Sequence, residues 1–256
     1  MSIINKFFSS FNKNQEIIDL ALSEKIETTH ILNDKPTIDK IIFTIEDISP
    51  KYTFDFTEEK FKKIFIHPQS KEWFVSIYEI LPLYNINTPE RVAAFLAQTC
   101  HESLDYTMLE ENLYYTASGL RKTFPKYFKS VSAASSYAKN PQKIANLVYG
   151  NRMGNNNSGD GYKFRGRGPI QCTGKNNYTE CSKFLFNDLT LVNDPDLILR
   201  DKKISIMSAC WFWSVNDLNK YCDKMDIVGM TNKINGGTNG LADRKVRFTK
   251  YLTILQ

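Results

Sequence analysis

Residues 88–103 read TPERVAAFLAQTCHES, and this stretch decides the fold. Thr88 has a side-chain oxygen that can accept from the first turn of a helix. Pro89 follows at the one helical position where a missing N–H costs nothing, so the spacing predicts a helix that starts here. On that helix Val92, Phe95, Thr99 and Glu102 share a face. A carboxyl group at the end of an otherwise apolar face is costly to ionise unless it is paired, and partial burial makes it hold its proton. A proton held near neutral pH is what a general acid delivers. Glu102 is therefore the candidate acid, the alternative being a helix-terminal Glu that faces solvent.

Working outward, the helical period continues on both sides. Thr57 is placed to cap a helix through Phe65, which stops before His67-Pro68, and Ser70 to cap the next, through about Leu81. Later helices are predicted over 117–123, 131–139, 141–149, 175–186, 202–215, 226–234 and 241–254. Between 150 and 174 the chain is rich in Gly and Asn and has little helical period. Long irregular segments inside compact domains usually carry function. Residues 1–56 read differently. Residues 15–26 fit a short amphipathic helix, and KIIFTIEDISPKYTFDF (40–56) fits two strands around Ser49-Pro50, with Ile41, Phe43 and Ile45 alternating in one and Tyr52, Phe54 and Phe56 in the other. The expected architecture is a mainly α domain with a cleft over 57–256, preceded by a small α/β accessory region over 1–56.

Composition bounds the rest. The chain has 256 residues, 42% of them hydrophobic and 24% charged, enough for one sizeable core and a small additional element. A net charge of +5 and a pI near 8.8 suit an anionic partner, whether a wall polymer, a nucleic acid or an anionic membrane surface. The five cysteines are odd in number and form no CxxC pair, so neither a zinc site nor a complete disulfide framework is expected, and free buried thiols are. His30, His67 and His101 make no HExxH, and no GxSxG is present. The N-terminal apolar runs are broken by Lys6, Ser9 and Asn12. No secretory leader or bilayer-spanning stretch is visible, and the expectation is synthesis in the cytoplasm with another route outward.

Acid-catalysed cleavage of an acetal needs a second carboxyl across a cleft. A separation of roughly 6.5–9.5 Å leaves room for an attacking water, and about 5–5.5 Å makes the second group a nucleophile. Glu110 and Glu111 follow Glu102 closely enough to supply it. In RGRGPIQCTGKNNY (165–178), Gly166 and Gly168 permit close backbone approach, and Arg165 and Arg167 can bind sugar oxygens or a carboxylate. Gln171, Thr173, Asn176 and Asn177 offer hydrogen bonds to hydroxyl and acetamido groups. Tyr114, Tyr115, Tyr162 and Tyr178 are candidate platforms for sugar rings. Arg244, on the last helix, can orient a catalytic carboxylate. Trp211, Phe212 and Trp213 lie within an apolar helix and read as core, and His101 reads as a structural hydrogen-bonding residue.

Four stretches, AAFLAQTCHES, EENLYYTASGLRKTFPKYF, YGNRMGNNNSGDGYKFRGRGPIQCTGKNNY and INGGTNGLADRKVRFTKYL, occur in that order and resemble family-19 glycoside hydrolases over roughly residues 70–255. That family includes chitinases and lysozyme-like phage endolysins. The resemblance implies a helical fold related to lysozymes, no metal and no organic cofactor. It implies Glu102 as general acid and Glu111 as the base of the endolysin-like branch, with Glu110 as the alternative. It also implies Thr173 as the residue that helps hold the water, and Gln171, Asn177, Tyr178, Asn235 and Arg244 as cleft or acid-site residues, with Arg167 beside them. The implied reaction is inverting hydrolysis of a β-1,4-linked N-acetylated glycan, peptidoglycan first and chitin second. The rival reading is a glycan-binding protein without turnover. A monomer acting on polysaccharide at the cell wall is expected, with no nucleic-acid partner and no stable membrane insertion. An immunity protein or a secretion partner is left open.

Overall fold

The computed structural model describes residues 51–256, so the expected helix at 15–26 and the strand at 41–45 lie outside the described residues. Among the described residues the chain is helical, and its only ladder pairs are two isolated bridges, Glu110 with Arg167 and Arg167 with Cys172. Tyr52, Phe54 and Phe56 alternate but do not form a strand. Their rings pack on one another and on Phe61, Phe74 and Tyr78, so the aromatic face is satisfied by helices. These residues belong to the compact unit Lys51–Gln256.

Helix α1 (Glu58–Ile64) is capped by Thr57, whose Oγ1 accepts from the Lys60 N–H at 3.2 Å. Helix α2 (Ser70–Ile80) starts one residue earlier than a Ser70 cap requires. Ser70 lies inside the helix and donates instead to the Phe65 carbonyl at 3.2 Å. A 3₁₀ turn (Leu81–Tyr84) carrying Pro82 leads into α3 (Pro89–Glu102), whose Thr88 cap accepts from Arg91 N–H at 3.3 Å. Every residue of α3 from Val92 to Cys100 is buried, which makes it the central helix of the main core. A cap of this kind is worth about 1 kcal/mol, so burial rather than capping holds α3 in place.

Helices α4 (Ala117–Thr123), α5 (Val131–Ser135) and α6 (Pro141–Tyr149) enclose a separate small core of Leu113, Leu120, Phe128, Ile144 and Val148. Helix α5 is shorter than the predicted 131–139, because the chain turns out of it and Lys139 takes a positive φ of 57°. Four one-turn helices follow no readable period: α7 (Asp160–Lys163), α9 (Thr190–Asn193), α10 (Leu197–Arg200) and α12 (Asn219–Asp223). They are interspersed with α8 (Lys175–Phe186) and α11 (Lys202–Val215). Helices α13 (Ile227–Asn235) and α14 (Leu241–Leu255) complete the chain, and α14 packs along α3. Trp211 and Trp213 are buried as expected. All five cysteines are free, and four are buried, with Cys172 half-buried. Among the described residues, no helix is long and apolar enough to cross a membrane.

The central helix is pinned at both ends. Near its start, Arg91 donates to both carboxylate oxygens of Asp223, at 2.7 and 2.8 Å. At its end, His101 and Glu102 meet Asp243 and Arg244 on α14, two consecutive residues against two consecutive residues.

Candidate active site

Glu102 is the last residue of α3. Its Oε1 accepts from Arg244, and the other arm of the same guanidinium donates to the Gln98 side chain one turn earlier. Gln98 in turn donates to Thr231 on α13 at 3.4 Å. The Arg244 side chain is 2% exposed and the Glu102 side chain 24%. A guanidinium stays charged at any working pH and its donors form a rigid fork, so this buried cation fixes where the Glu102 carboxyl points. Oε2 of Glu102 takes no hydrogen bond among the described residues.

The neighbouring rung is also polar. His101 Nδ1 and Arg247 Nε each lie 2.7 Å from Asp243 Oδ2, and Arg247 continues to Asp105 and to the Tyr251 hydroxyl. Burial works against the Asp243 charge, yet the bonds from His101 and Arg247 hold its carboxyl below the ordinary value. The loop before α14 closes on this rung through Gly240. Its φ is +71°, and a Cβ there would stand 2.1 Å from His101 Nε2, so only glycine fits. Asn235 shapes the same loop. Its Nδ2 donates to the Asn239 carbonyl and its Oδ1 accepts from Gly237 N–H, both at 2.9 Å.

The second carboxylate comes from an irregular segment. Residues 109–111 lie antiparallel to 166–168, with Glu111 N–H donating to the Gly166 carbonyl at 3.1 Å and Gly168 N–H to the Leu109 carbonyl at 2.7 Å. Side chains alternate along such an extended run. Glu110 pairs with Arg165, while Glu111 turns to different partners. Its Oε1 accepts from Gly166 N–H and its Oε2 from the Tyr149 hydroxyl, each at 2.7 Å. Burial, and next the Glu111 charge beside it, push the Tyr149 hydroxyl well above its ordinary value, so it stays a donor.

Gly166 is the meeting point. A Cβ on it would come within 2.5 Å of Gln171 Oε1 and 3.0 Å of Thr173 Oγ1. The Glu111 carboxylate, the Gln171 amide and the Thr173 hydroxyl therefore converge around one backbone position. Thr173 donates to the Gln171 carbonyl at 2.9 Å, and the exposed Asn177 steadies the Thr173 carbonyl at 2.8 Å.

Two expected cleft residues lie elsewhere. Arg167 is 1% exposed and Tyr178 is fully buried. Arg167 binds Asp196 at 2.7 and 2.8 Å, the Lys163 carbonyl at 2.9 Å and the Tyr178 hydroxyl at 2.8 Å, and that hydroxyl donates to the Arg165 carbonyl at 2.8 Å. Both side chains spend their polar atoms on buried partners, Tyr178 on Arg165 and Arg167 within the loop and Arg167 also on Asp196 and Lys163 outside it, so neither offers a surface to a sugar. Of the expected aromatic platforms, Tyr114 is open, at 61% exposed, whereas Tyr115 packs on Phe124 and Tyr162 lies under the Arg165 guanidinium.

Sequence reasoning missed three partners. Gln98 sits four residues before Glu102, a helical spacing that points to it. Asp196 collects Arg165 and Arg167 from outside the loop, and Tyr149 reaches Glu111 from the end of α6. Neither of these two carries a local signal.

Comparison with known proteins bears on the family and the fold. Residues 84–238 fit the family model described as chitinase class I, of the glycoside hydrolase 19 type. The chain is similar to a glycosyl hydrolase family 19 domain-containing protein of Haemophilus influenzae, 37% identical over 194 residues that cover 75% of this chain and 93% of that protein. It is also similar to an acidic endochitinase of Petunia hybrida, 33% identical over 131 residues, covering 51% of this chain and 38% of that enzyme. Among solved structures it shares the fold of chitinase C from Streptomyces griseus HUT6037, with a TM-score of 0.53, 19% identity and coverage of 79% of this chain and 77% of that one. A bacterial family 19 chitinase gives a TM-score of 0.52 at 19% identity, covering 78% of this chain and 94% of that one.

Proposed function

We propose that this chain, which belongs to family 19 of the glycoside hydrolases, cleaves β-1,4 bonds in an N-acetylated glycan by inverting acid–base hydrolysis at Glu102 and Glu111. The observation that carries the reading is the difference in how two partly buried carboxyl groups are held. Glu102 is gripped through one oxygen by the buried Arg244. Glu111 is gripped by the neutral donors Gly166 N–H and Tyr149. Each carboxyl is thereby fixed in place, and the roles of acid for Glu102 and base for Glu111 follow the resemblance to family 19.

In this mechanism the proton leaves Glu102 for the glycosidic oxygen as the C–O bond breaks. The Glu102 carboxylate that results lies against the Arg244 cation, which stabilises the charge as it forms. Glu111, ionised, takes a proton from a water held beside the Thr173 hydroxyl. The water's oxygen bonds to the anomeric carbon from the opposite face, so configuration inverts. Gly166 N–H and Tyr149 fix the base without adding a charge near the forming cationic sugar. Gln171 and Asn177 supply polar contacts to the glycan, and Asn235 sets the loop that carries α14 to the acid.

Peptidoglycan is the first substrate, supported by the net charge of +5, and the site of action is the cell wall. Chitin is the second reading, favoured by similarity to relatives named endochitinases. The test is reducing-end release from purified peptidoglycan and from soluble chitin oligomers, with wild type beside Glu102→Gln. Release from peptidoglycan that Glu102→Gln abolishes supports the first reading, and release from chitin alone supports the second. Binding with no new ends from either would replace both with a glycan-binding role.

A further inference from the structure

The cleft explains Glu102, Glu111 and the 165–178 loop, but not the charge of the small lobe beside them. From Asn112 to Gly159 the chain carries five Lys, two Arg and no Asp or Glu. The other 26 Lys and Arg are outnumbered by all 28 Asp and Glu, so this stretch supplies the whole of the chain's positive excess. All seven cationic side chains are exposed. None pairs with a carboxylate among the described residues, whereas Arg91, Arg165, Arg167, Arg200, Arg244 and Arg247 elsewhere all do. Uncompensated like charge repels itself, and a surface of one sign is suited to a partner of the other.

The lobe is built as a unit and joined to the cleft. Leu113, two residues past Glu111, is buried in the core enclosed by α4, α5 and α6. Tyr149, the last residue of α6, donates to Glu111. The lobe therefore adjoins the base. Two local features lie on it. Lys126 stands 5.7 Å over the Tyr127 ring, and Arg152 donates to the Tyr127 hydroxyl at 3.0 Å, which sets two cations around one aromatic residue. A cavity of about 400 Å³ is lined by Ser136, Tyr137, Lys143, Asn146 and Leu147. It combines one ammonium group, neutral polar groups and an apolar side chain, with no carboxylate. A neutral N-acetylglucosamine polymer gains nothing from such a surface, and a glycan bearing carboxylates does.

We infer that the acid-free lobe of residues 112–159 docks a carboxylate-bearing glycan strand continuous with the one in the cleft, with Lys143 pairing with a carboxylate at the cavity. The inference rests on the proposed hydrolysis of N-acetylated glycan and narrows its substrate class to a polyanionic one.

The experiment uses the full chain carrying Lys126→Glu, Lys129→Glu and Lys143→Glu together, with the triple Lys→Gln variant as a milder control. Co-sedimentation with peptidoglycan sacculi is measured in the Glu102→Gln background, and kcat/KM on sacculi and on soluble chitin oligomers in the active one. The expected result is a fall of roughly tenfold in sacculus affinity and in kcat/KM on sacculi, carried by KM, with the Lys→Gln triple intermediate. Turnover of chitin oligomers stays unchanged, and added salt weakens wild type but no longer affects the charge-reversed protein. Sacculus binding and salt dependence equal to wild type would overturn the docking surface while leaving Glu102-dependent hydrolysis intact. Equal, salt-sensitive binding of wild type to duplex DNA or to phosphatidylglycerol vesicles would overturn it as well, since the lobe would then recognise any polyanion. Failure of the hydrolytic reading is seen separately, as no reducing ends from any glycan while the sedimentation assay still reports docking.

Discussion

Glu102 and Glu111 are two carboxylates mounted in opposite ways. Glu102 hangs from the central helix and meets a buried cation on a second helix, so its position is set by the packing of α14 along α3. Glu111 hangs from an extended segment and meets a backbone N–H and a phenol, so its position is set by how one irregular loop folds around Gly166. A group that must give up its proton and become an anion gains from a fixed cation beside it. A base gains from neutral donors that fix its direction toward the water without placing a cation beside the forming positive sugar. The difference also predicts different failures, since removing the buried cation on the helix side destabilises the protein, whereas damage on the loop side mainly slows it.

The largest effect expected is from Glu102→Gln, which keeps the shape and removes the acid. Turnover should fall by roughly 10²–10⁴-fold in a reducing-end assay, with the Gln carbonyl oxygen still accepting from Arg244 and a loss of stability smaller than that of Arg244→Ala. Arg244→Ala should come next and behave otherwise. It leaves Glu102 and Gln98 facing an emptied site, and breaking a buried pair costs about 3 kcal/mol, which urea unfolding would detect alongside lost activity.

On the loop side, Tyr149→Phe leaves the Glu111 carboxylate held by Gly166 N–H alone, and kcat should fall by roughly tenfold, with a stability loss of about 1.5 kcal/mol in urea unfolding, smaller than that of Arg244→Ala. Gly166→Ala should act in the same direction, because its Cβ would enter the space held by Gln171 and Thr173. If either loop variant lost as much stability as Arg244→Ala does, the contrast between the two mounts would collapse.

The smallest effect is expected at the far end of α3. The hydrogen bonds from Arg91 hold the Asp223 carboxyl below its ordinary value despite some burial. A depressed folded value means that the contribution is present above the unfolded pKa of about 3.9 and is lost as pH falls through the folded one. Asp223→Asn should therefore cost about 1 kcal/mol or less at pH 7 and progressively less on acidification below pH 4, read from urea midpoints at each pH.

The helices were legible because their signals are local. Thr88 and Pro89 mark the start of α3, and α4, α6, α8 and α11 run over the residues their periods predicted. The one-turn helices were not legible, since four or five residues hold no period. The 165–178 loop shows the limit more sharply. Arg165, Arg167, Gln171 and Tyr178 all read as residues that bind sugar, and composition alone does not separate those facing the cleft from those bracing it. Only the fold reveals that Arg167 and Tyr178 satisfy each other inside the loop, while Gln171 and Thr173 gather at Gly166. Tyr149 was out of reach for a related reason. It lies 38 residues from Glu111, and nothing near it in sequence refers to that carboxylate.

The most direct test of the central claim is the anomeric form of the first product, followed by proton NMR within seconds of mixing the enzyme with a β-linked oligosaccharide that it cleaves. Glu102 as acid and Glu111 as base toward water predict the α-anomer first, with the β form appearing only by mutarotation. Initial release of the β-anomer would contradict this assignment, because it would make the second carboxylate a nucleophile rather than a base.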